Sequence, residues 1–126
     1  MSLPTELLSV EEMYLADRLA IDGGVAGSML METAGEGIAI QIQRKWPPGR
    51  ALVLCGPGNN GGDGYVVARR LQEAGWQIDL ASIADPELLK GDAALMRDQW
   101  NGPILSLARA EVADIDLVVD AVFGAG

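Results

Sequence analysis

A continuous apolar run, Ala51-Leu52-Val53-Leu54-Cys55, ends in the stretch Gly56-Pro57-Gly58-Asn59-Asn60-Gly61-Gly62-Asp63-Gly64. Five of those nine residues are glycine. An uninterrupted apolar run of that length is the pattern of a strand buried on both faces of a parallel sheet. Tyr65 to Ala74 then reads as a helix closed by Gly75. Strand, glycine segment and helix in that order put the segment at the carboxyl end of a strand, where α/β sheets gather ligands. Antiparallel and all-helical architectures do not call for this unit.

The rest of the chain repeats the alternation. Trp76 to Ile83 reads as a strand. Asp85-Pro86-Glu87 starts a helix, with Asp as cap and Pro at the first helical position, that runs to Trp100 and is closed by Asn101-Gly102. Ile104 to Leu107 is a weaker strand and Asp116 to Val122 a strong one. Strands alternating with helices require right-handed crossovers and a parallel sheet. Ahead of them, Ser9-Val10-Glu11-Glu12 has the form of a capping box, which predicts a helix over 10–21 that Gly23-Gly24 breaks. Ser28 caps a second helix running to Lys45, with Leu30, Met31, Ala34, Ile38 and Ile42 on one apolar stripe. Ala34, Gly35 and Gly37 mark a close approach, since each helical Gly costs about 1 kcal/mol relative to Ala.

The expected architecture is therefore α/β, a Rossmann-like three-layer α/β/α fold with a mainly parallel sheet, preceded by two N-terminal helices. A single domain covers 1–126, with a helical part over 1–50 and an α/β part over 51–126. The chain ends at Phe123-Gly124-Ala125-Gly126, where a strand has just delivered a glycine turn. We expect it to be a piece of a longer domain.

Composition narrows the chemistry. There is no His, which removes Ser-His-Asp and Cys-His catalysis and imidazole metal ligation. Acid and base roles fall to Asp, Glu, Lys or Tyr. Nine Lys and Arg against 18 Asp and Glu give a net charge of -9, the wrong sign for holding nucleic acid over many phosphates. The one cysteine, Cys55, can form neither an intrachain disulfide nor a zinc cluster, as expected of a cytoplasmic protein. No apolar run approaches the roughly 20 residues of a membrane span, and the start lacks the pattern of a secretory signal.

The glycine segment has several readings. A plain turn needs one or two glycines, and here five stand with two Asn and an Asp. A phosphate-binding P-loop needs Lys followed by Ser or Thr after its last glycine, and Asp63-Gly64 stands there instead. Gly56, Gly58 and Gly61 match the G-x-G-x-x-G dinucleotide fingerprint, and Asp79 follows at about the right separation for a ribose-binding acid. Asp79, however, falls near the start of its strand, whereas that acid belongs at the carboxyl end. An NAD-linked oxidoreductase stays as an alternative on this evidence.

A more specific pattern lies in the same residues. Asn59-Asn60-Gly61-Gly62-Asp63-Gly64 after an apolar strand resembles the signature of the YjeF N-terminal domain family, the NAD(P)H-hydrate epimerases. Leu30-Met31-Glu32-Thr33-Ala34-Gly35 resembles that family's L-M-E-N-A-G helix. Gly91-Asp92-Ala93 resembles its G-D-A, and Asp120-Ala121-Val122-Phe123-Gly124-Ala125-Gly126 its D-A-L-F-G-T-G segment. Thr33 stands for the usual Asn, and Ala125 for the usual Thr.

The resemblance implies an isomerase that interconverts the R and S epimers of hydrated NADH and NADPH in cofactor repair. It implies that Asn59, Asn60, Gly61, Gly62 and Asp63 line the substrate site and that Gly124, Ala125 and Gly126 begin a second substrate loop. It assigns Asn60 and Asp120 to a potassium ion, a hard cation suited to amide, carboxylate and carbonyl oxygens. The catalytic base is not assigned. A homodimer and fusion to a C-terminal ADP-dependent dehydratase are further expectations of the resemblance. The competing class is a non-catalytic scaffold of the same fold. At single residues, Asp120 also reads as a loop-anchoring carboxylate and Asn60 as a turn amide.

Overall fold

The computed structural model describes residues 6–9, 27–110 and 113–122. Five strands, β1 (Glu6–Ser9), β2 (Arg50–Cys55), β3 (Gln77–Ser82), β4 (Leu105–Ser106) and β5 (Leu117–Ala121), form one sheet in the order β1-β5-β2-β3-β4. Every pairing is parallel. Three α-helices are described: α1 (Gly27–Lys45), α2 (Asn59–Glu73) and α3 (Gly91–Gln99). The α/β class and the parallel sheet agree with the sequence expectation.

The apolar run of β2 is the centre of the sheet. In register, Ala51 pairs with Leu117, Val53 with Val119 and Cys55 with Ala121. These side chains share one core with Ile38 and Ile42 of α1, Val66, Val67 and Leu71 of α2, and Met96 of α3. All three described helices therefore pack on one face of the sheet. Each fully buried aliphatic side chain here contributes about 1.5–3 kcal/mol relative to exposure. On the opposite face Leu52, Ala81, Ile115 and Val118 form a smaller cluster that no described helix enters.

Three expectations need correction. The part of the chain read as helical, 1–50, also supplies a strand: β1 pairs with β5, Ser9 standing opposite Asp120. Four residues carry too little periodicity to be seen as a strand before a partner is known. The predicted helix over 10–21 lies outside the described residues. Secondly, the helix predicted from Tyr65 begins at Asn59, so Asn59–Gly64 are its first turns and not a loop. Thirdly, the segment after Asp85 is two elements. Asp85 accepts a hydrogen bond from the Glu87 N–H at 2.9 Å and caps a 3-10 turn over Pro86–Leu88. Leu89 then leaves helical geometry to bury its side chain, and Gly91, at φ +59°, restarts the chain as α3.

Candidate functional site

Parallel strands put all their carboxyl ends on one edge. From β2 the chain moves outward through α2 to β3 and through α3 to β4, then returns to the other side of β2 as β5. The direction of winding thus reverses between β2 and β5, and the connections leaving their carboxyl ends diverge. A crevice at such a point is where open α/β sheets bind ligands. Gly56–Asn59 follow β2 there, and Asp120–Val122 close β5. The two strand ends are tied by the Gly56 N–H, which donates to Ala121 O at 2.9 Å.

The glycines of this segment divide into two kinds. A Cβ on Gly61 would collide with the Gly56 carbonyl, one on Gly62 with the Met31 thioether, and one on Gly64 would lie 2.8 Å from both Ala121 Cβ and Cys55 Sγ. These three let α2 settle directly on the ends of β2 and β5. Gly58 differs: a Cβ there meets nothing within 4 Å. It is the N-cap of α2, exposed, with no side-chain cap. The positive end of the α2 dipole opens to solvent at Gly58 and Asn59, an arrangement that favours an anionic group.

Burial separates the predicted site residues. Asn59 is exposed, whereas Asn60 is 3% and Asp63 0% exposed, and Gly61 and Gly62 are buried. Asn60 is therefore not the surface turn amide that the sequence allowed. Asp120 is half-buried, and its Oδ1 accepts from the Val122 N–H at 3.0 Å. The carboxylate so anchors the start of the connection after β5, and its second oxygen stands at the same sheet edge. Gly124, Ala125 and Gly126 lie outside the described residues.

The donor set can be tested for the implied cation. Among the described residues no group of three or more His, Cys, Asp or Glu could hold a metal. The elements that meet at this edge carry the Asp120 carboxylate, the buried Asn60 and Asp63, and backbone carbonyls such as Val122 O, which crowds Gly56. Oxygen donors without His or a thiolate ligand suit a hard cation better than zinc or another soft metal.

Neighbouring titratable groups are held away from the neutral range. Burial pushes the Cys55 thiol up, so it is not a nucleophile at neutral pH. Burial, with a smaller contribution from Cys55, pushes the Tyr65 phenol up to about 12, while Ser82 and Arg97 act in the opposite sense. Asp79, the ribose-acid candidate, pairs with Arg50 at 2.8 Å and stands opposite Leu52, away from the carboxyl edge. Its part in a dehydrogenase reading is thereby removed.

One cluster was missed in the sequence. Glu32 of α1 pairs with Arg69 and with Arg70 of α2, the latter at 2.7 Å, and Arg70 also reaches Glu36 at 3.3 Å. A Cβ on Gly35 would lie 2.5 Å from Val66 Cβ, so α1 crosses α2 at close range beside this clamp. The adjacent Arg69-Arg70 on a helix, with Glu32 and Glu36 one turn apart on another, was the available signal.

Known proteins share this sequence pattern and this fold. The pattern of the family described as YjeF-related protein N-terminus matches residues 27–126. An NAD(P)H-hydrate epimerase of Rhodobacter capsulatus is 42% identical over 134 aligned positions, which cover 97% of this chain and 63% of that protein. A bifunctional NAD(P)H-hydrate repair enzyme of Thermanaerovibrio acidaminovorans is 38% identical, covering 98% of this chain and 26% of that protein. The crystal structure of yeast YNL200c superposes with a TM-score of 0.70 at 26% identity, over 94% of this chain and 57% of the other. The chain thus spans less than two thirds of the length of each of these relatives.

Proposed function

The chain belongs to the YjeF-related N-terminal family, and from that premise we propose that it is part of an NAD(P)H-hydrate epimerase. The reaction is the interconversion of the R and S epimers of hydrated NADH and NADPH. The observation that carries the reading is the junction of β2, α2 and β5. Gly61 and Gly64 seat α2 on the strand ends, which brings the exposed Gly58 and Asn59 and the carboxylate of Asp120 to one crevice.

In this reading Asn59, Asn60, Gly61, Gly62 and Asp63 shape the substrate site, with Gly124, Ala125 and Gly126 completing it. The exposed start of α2 receives the pyrophosphate, as helix N-termini do for anions. Asn60 and Asp120 would hold a potassium ion, which supplies fixed positive charge beside the substrate. The proposal extends to a homodimer in the cytoplasm and to a dehydratase acting on the product epimer. Relatives named as bifunctional repair enzymes, of which this chain spans about a quarter, support the last point.

The test is epimer equilibration of hydrated NADH by the full-length protein. Purified S epimer should relax to the mixture faster than the spontaneous reaction. Equal rates with and without protein, potassium being present, would reject the reading in favour of a non-catalytic scaffold.

A further inference from the structure

A cavity of about 480 Å³ opens at the carboxyl ends of β3 and β4, on the side of β2 away from β5. That size falls among small-molecule sites, which are mostly apolar with a few placed polar groups. Ile83 and Leu107 line it with side chains that are 39% and 46% exposed, and Asp85 and Ser106 supply polar groups. Asp85 lies just past the end of β3, roughly 20 residues after the last glycine of the α2 segment. Its Oδ1 is fixed by the Glu87 N–H at 2.9 Å. Here, and not at Asp79, is the carboxylate that a G-x-G-x-x-G segment requires for a ribose.

A dinucleotide whose pyrophosphate rests on the start of α2 has its two nucleoside halves on opposite sides of β2. With the nicotinamide half beside Asp120, the other half reaches the β3–β4 groove. We infer that this groove is the adenosine subsite, with the Asp85 carboxylate accepting from the ribose 2′-hydroxyl. The inference rests on the dinucleotide substrate proposed above and adds a specificity to it. Among the described residues that line the groove there is no Lys or Arg, and Arg97, which donates to Pro86 O, is also committed to Asp98. A 2′-phosphate would face a carboxylate without a compensating cation, so hydrated NADH is preferred to hydrated NADPH.

The experiment has two arms, both on the full-length protein. In the first, KM is measured for hydrated NADH and hydrated NADPH with wild type and Asp85→Asn. Asn keeps the cap acceptor and removes the charge, so a purely structural Asp85 would leave the ratio unmoved. The expected wild-type preference for hydrated NADH is about tenfold in KM, collapsing to about twofold in the variant. Ser106→Trp, at an exposed position, should raise both KM values by filling the groove. In the second arm, AMP is titrated while the backbone amide signals of Ile83 and Leu107 are followed by NMR. Shifts at these residues support the subsite. Epimerisation with an unchanged KM ratio in Asp85→Asn and no AMP shifts would overturn it. If the wild type epimerises nothing, the functional reading fails and the AMP arm alone decides the groove: shifts uphold a nucleoside site, and their absence removes it.

Discussion

Gly64 of α2 lies directly over Cys55 at the end of β2, so close that a Cβ on residue 64 would stand 2.8 Å from the Cys55 sulfur. The contact repeats two further times along the same segment, at Gly61 over Gly56 and at Gly62 under Met31. Glycine is needed here for proximity, since none of these three has a positive φ.

Gly64→Ala should therefore destabilise the protein by about 1–3 kcal/mol, the ordinary cost of overpacking, partly offset by the better helix propensity of Ala. Gly58→Ala, with open space around it, should cost less than about 1 kcal/mol. Urea unfolding of the two variants checks the contrast. Equal losses would mean that the glycines act through the backbone alone.

Asn59 and Asn60 are neighbours with opposite burial, which predicts opposite behaviour. Asn60→Ala removes a buried amide and should lower stability by about 1–3 kcal/mol. Asn59→Ala should leave stability within about 0.5 kcal/mol of wild type while weakening NADPH binding. Thermal unfolding together with NADPH titration of the full-length protein separates the two effects.

Alkaline pH should destabilise the fold through Cys55 and Tyr65. Both have folded-state pKa values raised by burial, from ordinary values of 9.0 and 10.0. Ionisation favours the unfolded state, so their contribution is fully present below about pH 9 and is lost as pH rises, Tyr65 through about 12. Cys55→Ala should shift the onset upward, toward the value set by Tyr65. Urea midpoints measured against pH follow this directly, and an unchanged onset would place the effect in other groups.

Asp120→Asn keeps an acceptor for the Val122 N–H but removes the negative charge. Under the proposed function, epimerisation should lose most of its rate and its response to potassium. Thermal stability in potassium-free buffer should be kept or raised, because a half-buried charge has been removed. Rates in potassium and lithium buffers, beside a melting curve, make the test. A fully active variant that still responds to potassium would leave Asp120 as an anchor only.

Local signals were enough to read the α/β class and the order of β2, α2, β3, β4 and β5, because apolar runs, glycine stops and caps need no partner. It also marked Asn59–Gly64 as the unusual segment, since so many glycines in one place have a cost that something must offset. What it could not decide was which way that segment folds. Glycine permits a loop and a tightly packed helix alike, and only contact with Gly56, Cys55, Ala121 and Met31 makes the helix the lower state. The same holds for β1, four residues made into a strand by the exposed edge of β5, and for Leu89, whose burial splits the helix expected after Asp85. The separation of an exposed Asn59 from a buried Asn60, and the groove beside Asp85, are likewise products of tertiary packing, because burial belongs to the surfaces that meet and not to the residue that is read.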